Sequence, residues 1–519
     1  MKLKLFQIPH NNGDEKKADL YFRGNTKLKS GEVLSTDTYF GSFSCTKYLK
    51  YTCVSAVELC VNVKGEGTAM LCAVTPEREE TVICEEKFAS DGELKLCAER
   101  SRFPREGYLY LKLTTDNECE FVSGYYSAET DENQREIKLG IIFCTFKREE
   151  FVRGNINKIS EFLKLNDLGN FKVDIFCIDN GNTLKTNQVE TAPNIHLVPN
   201  KNYGGSGGFT RGMMELISAD AGYTHAWVMD DDIEFEPDMI LRILSFLSIT
   251  KPEFYDYHIA AGMMTFENPT VQYEATANYD GVSFKSNKAE LDLCELSALF
   301  ENEKDISADY GGWWSLIIPM ENIRRDSLPL PFFIKLDDVE FGLRSSRKFL
   351  TLNGFGVWHQ SFANKVSAHL EYYTTRNGLV LTALYSGAKK EKRFLLSRLI
   401  KAISFGETKY MASSLKGVED FLKGPDFLKN TPADKLNSEI MKEYKFAAAS
   451  PGTRKKMLLN AAKNIFKKSS LESFKLYLSG VKLLKEGYLS SAKMFKDKFG
   501  EITTYDFWEE FMIKQKNQP

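Results

Sequence analysis

Apolar and polar residues change rhythm twice along this chain, once near residue 135 and again near residue 385. Before the first change, apolar positions alternate in short runs such as Thr52-Cys53-Val54-Ser55-Ala56-Val57-Glu58-Leu59 and Gly107-Tyr108-Leu109-Tyr110-Leu111-Lys112-Leu113, parted by turns such as Gly65-Glu66-Gly67 and Ser90-Asp91-Gly92. Period-two alternation between turn residues predicts half-buried strands. Many such strands predict a β-sandwich or partly closed barrel over residues 1–134. The polar stretch 127–134 predicts a linker.

From residue 137 the apolar runs become continuous: Lys138-Leu139-Gly140-Ile141-Ile142-Phe143-Cys144, then Val173-Asp174-Ile175-Phe176-Cys177-Ile178-Asp179, then Ile195-His196-Leu197-Val198. Residues 149–165 between the first two have helical periodicity. Buried strands alternating with helices predict a parallel, doubly wound sheet over residues 135–385. Beyond that the period is helical throughout. Leu396, Leu399, Ile400 and Ile403 share a face beside Lys392, Arg393 and Lys401, and Leu458, Ala461, Ala462, Ile465 and Phe466 share another beside Lys455, Lys456, Lys463, Lys467 and Lys468. The reading is a multidomain α/β chain in three parts, 1–134, 135–385 and a basic helical 386–519.

Length agrees, since 519 residues accommodate about three domains of ~100–200 residues. No apolar run reaches the length of a membrane span, and the first ten residues lack a signal peptide's apolar core. The ten cysteines include seven in the first 120 residues, with no CxxC pair and no histidine at zinc spacing, and read as free thiols. Together these predict a cytoplasmic protein. Net charge is only −3, yet residues 386–519 hold 27 Lys+Arg against 15 Asp+Glu. That imbalance predicts an anionic partner, with solvated helix faces as the alternative. Nucleic acid is excluded as that partner, because the basic helices carry no interleaved aromatics and no nucleic-acid motif.

The candidate chemistry sits where the strands of residues 135–385 end. A buried strand followed by Asp230-Asp231-Asp232 aims carboxylates at the carboxyl edge of an α/β sheet, where ligands bind. Adjacent negative charges repel unless a cation neutralises them, and hard oxygen ligands suit Mn2+ or Mg2+ shared with a substrate's phosphates. An exposed acidic turn is the plain alternative. The first strand ends in Cys144-Thr145-Phe146-Lys147-Arg148, a loop able to hold a nucleotide base and phosphate, and the second in Asp179-Asn180-Gly181, a ribose acceptor or merely a turn. Asn202-Tyr203-Gly204-Gly205-Ser206-Gly207-Gly208 then opens a helix. Its glycines would let backbone amides approach a phosphate or sugar, unless the segment is simply flexible. Downstream, of the adjacent Trp313 and Trp314 at most one need be core, leaving the other as a sugar platform. Asp337 and Asp338 form a carboxylate pair in which each raises the other's pKa, as a base near neutrality requires, with a helix cap as the alternative for Asp337. His359 follows an apolar run and reads as a metal ligand or as a structural histidine.

In that order the motifs MDDDI, GGWWxxxIP, FIKxDDxEFGLR and WH resemble inverting glycosyltransferases of family 2 with the GT-A fold, and among them bacterial galactofuranosyltransferases of galactan synthesis. The resemblance covers residues 138–380 closely and the three-part architecture more loosely. It implies that Thr145, Phe146, Arg148, Asp179 and Asp231 hold the uridine diphosphate, with Asn202, Gly204 and Gly205 near the donor's diphosphate or sugar. It implies Asp230, Asp232 and His359 as ligands of Mn2+ or Mg2+, Asp338 as catalytic base, and Trp313, Trp314 and Asp337 around donor sugar and acceptor. It also implies a UDP-galactofuranose donor, a polysaccharide or polyprenyl-linked acceptor at the inner face of the cell membrane, and a homo-oligomer of undefined size. A rhamnosyltransferase using dTDP-rhamnose shares the CTFxR start, and a non-catalytic glycan-binding protein is the reading from another class.

Overall fold

A computed structural model describes residues 2–516 except 12, 131, 133, 186–191, 346–347, 362–365, 387–389 and 449–452. The N-terminal region forms two five-stranded antiparallel sheets. One orders Lys2–Gln7, Cys119–Thr130, Val54–Gly65 and Gly92–Glu99, with Lys27–Leu28 beside Cys119–Thr130; the other orders Val33–Ser35, Tyr108–Thr114, Gly67–Val74 and Glu80–Phe88, with Phe43–Ser44 beside Tyr108–Thr114. Alternation works as predicted in Gly92–Glu99, where Leu94, Leu96 and Ala98 are buried and the residues between them exposed. The expected linker is shorter than the sequence implies, because residues 127–130 continue the strand Cys119–Thr130, and Asp131 and Asn133 lie outside the described residues. All ten cysteines are free thiols.

Both N-terminal sheets contribute to one apolar core that runs on into the fully buried helix Met239–Ser248. Polar bonds fix the contact: Gln7 N donates to Asp238 Oδ1 at 2.9 Å, Ser245 Oγ to the Leu5 carbonyl at 2.7 Å, and Arg242 Nη2 to the Phe40 carbonyl at 2.7 Å. The β-rich region is therefore packed against the sheet that follows it.

That sheet has seven strands in the order Ile195–Pro199, Lys172–Asp179, Lys138–Thr145, His225–Asp230, Ser315–Pro319, His258–Ala260 and Phe349–Leu350. The first four are parallel, as the βα alternation predicts. One strand departs from the expectation: Ser315–Pro319 runs antiparallel to both of its neighbours, while His258–Ala260 and Phe349–Leu350 share the direction of the first four. The reversal has a consequence for chemistry. An antiparallel strand begins at the edge where the parallel ones end, so Trp313 and Trp314 arrive beside the aspartate triplet, and Asp230 N donates to the Trp314 carbonyl at 3.2 Å. A second sheet of five strands orders Glu234–Phe235, Gly356–His359, Gly262–Thr265, Val271–Glu274 and Leu291–Asp292, and it brings in His359.

From Ala368–Tyr385 onward the chain is almost wholly helical. In Lys390–Phe405 the buried stripe is Phe394, Leu395, Leu399 and Ala402, one residue out of register with the predicted face, and Leu396 is exposed. The second predicted face is not a core face. Arg454–Asn464 buries none of its residues, and Leu458, Ile465 and Phe466 are exposed. Among the described residues no helix is long and apolar enough to cross a membrane.

Candidate active site

The strand His225–Asp230 is buried up to Met229 and releases Asp230 at the carboxyl edge of the sheet. The chain turns there and re-enters the second sheet at Glu234–Phe235, which pairs with Gly356–His359, Glu234 opposite Trp358. That pairing draws the buried His359 onto the triplet. Its Nε2 lies 3.2 Å from Asp232 Oδ1 and 3.8 Å from Asp230 Oδ2, and one ligand atom from each of the three residues falls within 4.8 Å of the others. His359 Nδ1 bonds the Gln360 carbonyl at 2.6 Å. Because a carbonyl only accepts, Nδ1 carries a proton, and Nε2 is the nitrogen that could give its lone pair to a metal, with the Gln360 carbonyl as outer partner. Two carboxylates and an imidazole so placed fit a divalent cation such as Mn2+ or Mg2+.

Asp231 is buried and stands outside that cluster, although it shares Arg148 Nη1 with Asp232. Thr145 Oγ1 donates to its Oδ2 at 2.7 Å, Arg148 Nη1 lies 3.2 Å from its Oδ1, and Asn155 Nδ2 holds its backbone carbonyl at 3.1 Å. Burial raises its carboxyl above the usual range, as does the charge of Asp232, against the lowering effect of Thr145 and Arg148. Three like charges are thus tolerated because the middle one is turned inward and bonded.

The residues expected around the nucleotide gather at the same edge, several of them already engaged. Arg148 Nη1 reaches Asp232 Oδ2 at 2.6 Å, so its guanidinium stands against the metal seat. The Asp179 carboxylate accepts from the backbone N–H of Gly181, Thr183 and Leu184 at 2.9, 2.6 and 2.7 Å, which makes it the brace of its own turn. Phe146 is exposed, with Lys147 Nζ 5.3 Å from its ring centre. Asn202 Oδ1 accepts from Gly204 N at 3.1 Å.

The glycine-rich segment is helical from its first glycine, Gly204–Ser218, rather than a free loop. Its glycines serve close packing: a Cβ on Gly208 would stand 2.1 Å from Cys144 Sγ, and one on Gly204, itself at φ 69°, 2.0 Å from the Phe333 carbonyl oxygen. Gly205 differs. A Cβ there would meet only Asp337 Oδ2, at 3.9 Å, so the start of this helix faces the carboxylate pair across the crevice.

Asp337 and Asp338 open the helix Asp337–Arg344, with Leu336 rather than Asp337 as its cap. Desolvation raises both carboxyls, and the charge of Asp338 raises Asp337 further. The loop before them is unusual. Phe333, Lys335 and Leu336 hold φ of 70°, 71° and 68°, a left-handed conformation that side chains resist. Buried Asn377 pays for it by donating from Nδ2 to the Lys335 and Ile334 carbonyls at 2.8 and 3.0 Å, while Arg376 Nη2 donates to the Phe332 carbonyl at 2.7 Å and Ser206 N to the Phe333 carbonyl at 3.1 Å. The loop therefore ties the carboxylate pair to the glycine-rich helix.

Both tryptophans are buried. They face opposite sides of the sheet, as adjacent residues must, but each side is covered, so Trp314 joins the core shared with the N-terminal region and Trp313 the core shared with the C-terminal helices. Trp314 Nε1 donates to the Ala261 carbonyl at 3.3 Å. Trp313 Nε1 is buried with no hydrogen-bond partner, between Phe209 and Phe341.

The candidate metal seat and the carboxylate pair both lie near Cys144. The Cys144 thiol between them is held well above its ordinary pKa first by desolvation and then by the charges of Asp231, Asp230 and Asp337. Sequence reasoning missed Arg376, Asn377 and Glu274. The only sign of the first two was a polar pair inside the apolar helix Ala368–Tyr385, and Glu274 gave none. Glu274 is buried, accepts from Ser286 Oγ, and lies 3.5 Å from Tyr310 OH. Burial and then the charge of Asp338 push its carboxyl up to about 7.

Residues 3–129 match the family model Galactofuranosyltransferase 2 N-terminal. Two curated relatives align along most of the chain, Galactofuranosyltransferase GlfT2 of Mycobacterium tuberculosis, 24% identical over 82% of this chain and 71% of its own, and GlfT2 of Mycolicibacterium smegmatis, 24% identical over 82% of this chain and 70% of its own. A solved structure of GalNAc-T7 with UDP, GalNAc and Mn2+ covers 66% of this chain and 59% of its own at 10% identity and a TM-score of 0.36, too distant to bear on the fold. In its N-terminal match, in these relatives and in the order of its motifs, this chain is similar to the galactofuranosyltransferases.

Proposed function

We propose that the protein transfers galactofuranose from UDP-galactofuranose to a hydroxyl of a glycan or lipid-linked acceptor, by a single inverting displacement in a GT-A catalytic domain. The observation that carries this reading is the cluster of Asp230, Asp232 and His359 at the sheet edge, with Asp337 near enough that it and Asp230 both act on the Cys144 thiol. A bound Mn2+ or Mg2+ would neutralise charge developing on the departing diphosphate. Asp338 takes the acceptor's proton as its oxygen attacks the anomeric carbon, and burial keeps that carboxyl basic. Phe146 offers a face to the uracil, and Arg148 would offer a cation to the diphosphate with a metal in its place at Asp232. Asp179 and Asp231 shape this pocket from beneath.

The division at about residues 134 and 385 assigns the β-rich part, the catalytic part and the basic helices to separate domains. The exposed apolar residues of Arg454–Asn464 and the following helix, edged with lysines, support attachment to an anionic membrane face, where a polyprenyl-linked acceptor would lie. Wild-type protein incubated with Mn2+, a galactofuranosyl disaccharide and a panel of nucleotide sugars tests the function. A product heavier by one or more hexose units with UDP-galactofuranose alone is the expected result. Turnover with dTDP-rhamnose instead would establish the rhamnosyltransferase alternative.

A further inference from the structure

We propose that a cleft beside His359, built on the strands Gly262–Thr265 and Val271–Glu274, is the subsite that holds the acceptor's neutral sugar residues behind the attacking hydroxyl. The inference rests on the transferase reading above. The cavity measures about 320 Å³ and is lined by Thr265, Glu267, Asn268, Val271, Tyr273 and Glu290 among others. That volume lies near the lower end of the ~300–1,000 Å³ typical of small-molecule sites, and suits a sugar or two rather than a lipid.

Register places the cleft on the catalytic face. Thr265 lies directly opposite His359 in the parallel pair, so both side chains project to one side of the sheet. The next strand carries a bulge: Met263 pairs with Glu274 and Met264 with Gln272, which leaves Tyr273 as the extra residue. Bulges re-aim side chains and recur beside active sites. Here the bulge returns Glu274 to the face of Met263 and Thr265, and it presents Tyr273, 45% exposed, at the cavity wall. At the other end of the strand, Tyr310 lies against both Glu274 and Gly342 of the helix that begins with Asp337 and Asp338. One short strand thus runs from the cleft to the neighbourhood of the base, the path an acceptor chain would follow.

The lining selects the ligand class. An aromatic ring at the wall suits the C–H face of a sugar, and Glu267, Glu290 and Asn268 accept from hydroxyls. Two carboxylates and no cation among those residues oppose a phosphate. Glu290 is held in the left-handed region at φ 61°, with its N–H bonded to the Gln272 carbonyl at 2.7 Å, a strained backbone position of the kind that gathers at ligand sites.

The test uses the full chain with UDP-galactofuranose, Mn2+ and galactofuranosyl di- and tetrasaccharide acceptors. Tyr273→Ala and Glu290→Gln should each raise the acceptor KM about tenfold, while the donor KM stays within about twofold. Tyr273→Phe, which keeps the ring, should recover most of the acceptor affinity and guards against a folding defect in Tyr273→Ala. An acceptor KM unmoved in Tyr273→Ala and Glu290→Gln, or a donor KM that rises equally, overturns the subsite. Absence of transfer by the wild-type protein would instead overturn the functional reading on which the subsite rests.

Discussion

Arg148 Nη1 stands 2.6 Å from Asp232 Oδ2, on the carboxylate whose other oxygen faces His359. Arg148 and the proposed divalent cation would therefore compete for Asp232. Arg148 is 45% exposed on its side chain, so the ion pair itself adds little to stability. Its replacement should matter for ligands instead. Arg148→Ala is expected to bind Mn2+ several-fold more tightly without nucleotide and to bind UDP more weakly, read by paramagnetic titration and calorimetry. Weaker Mn2+ binding in this variant would contradict the competition.

Asp232→Asn and His359→Ala each remove one protein ligand of the proposed cation. Transfer should fall by at least ~10²-fold in each, in keeping with the usual cost of disturbing a metal site. Chelation of the wild-type protein should abolish transfer, and added Mn2+ should restore it. Full activity in excess chelator would remove the metal from the reaction.

Asp338→Asn keeps the side chain's shape and removes its basicity. Transfer should drop by ~10²–10⁴-fold, the range for loss of a general base, with UDP-sugar affinity nearly unchanged. Substantial turnover by this variant would assign the base elsewhere.

The raised carboxyls of Asp337 and Asp338 set the pH response. A carboxyl raised by burial holds its proton at a pH where a free one is ionised, so the basic form is lost as pH falls through the raised value. The acid limb of log kcat/KM should therefore lie above the pH of ordinary carboxylates, and Asp337→Asn should leave it nearly in place, because burial rather than the charge of Asp337 raises Asp338. A limb near pH 4 in the wild-type protein would contradict the arrangement.

Asn377 touches no reacting atom in this scheme, yet it holds the Ile334 and Lys335 carbonyls of the left-handed loop. Asn377→Leu leaves buried carbonyls unpaired, at a cost of ~1–3 kcal/mol each. The expected result is a lower melting temperature with a kcat loss of about tenfold or more and little change in donor KM. Loss of stability alone, with kcat preserved, would make Asn377 purely structural.

Much of this was legible in the residues themselves. Continuous apolar runs ending at Thr145, Asp179 and Asp230 declared buried parallel strands, because only a strand covered on both faces dispenses with polar alternation. The helix at 149–165 followed from periodicity alone. The acidic triplet after the run that ends at Met229 marked the carboxyl edge of the sheet as the place for a cation, and the family resemblance implied Asp230, Asp232 and His359 as its ligands.

Other features had no local cause. Which amphipathic helix is covered depends on what lies beside it. Phe394 and Leu399 are buried under neighbouring helices, whereas Phe466 is 98% exposed, although both segments carry apolar faces beside lysines. Tertiary structure alone set Arg148 against Asp232, buried both tryptophans on opposite sides of one sheet, and brought Asn377 under a loop 42 residues earlier. Period and charge are properties of neighbours along the chain and can be read there. Burial, strain and the meeting of distant carboxylates are properties of neighbours in space, and those exist only once the sheets have closed on each other.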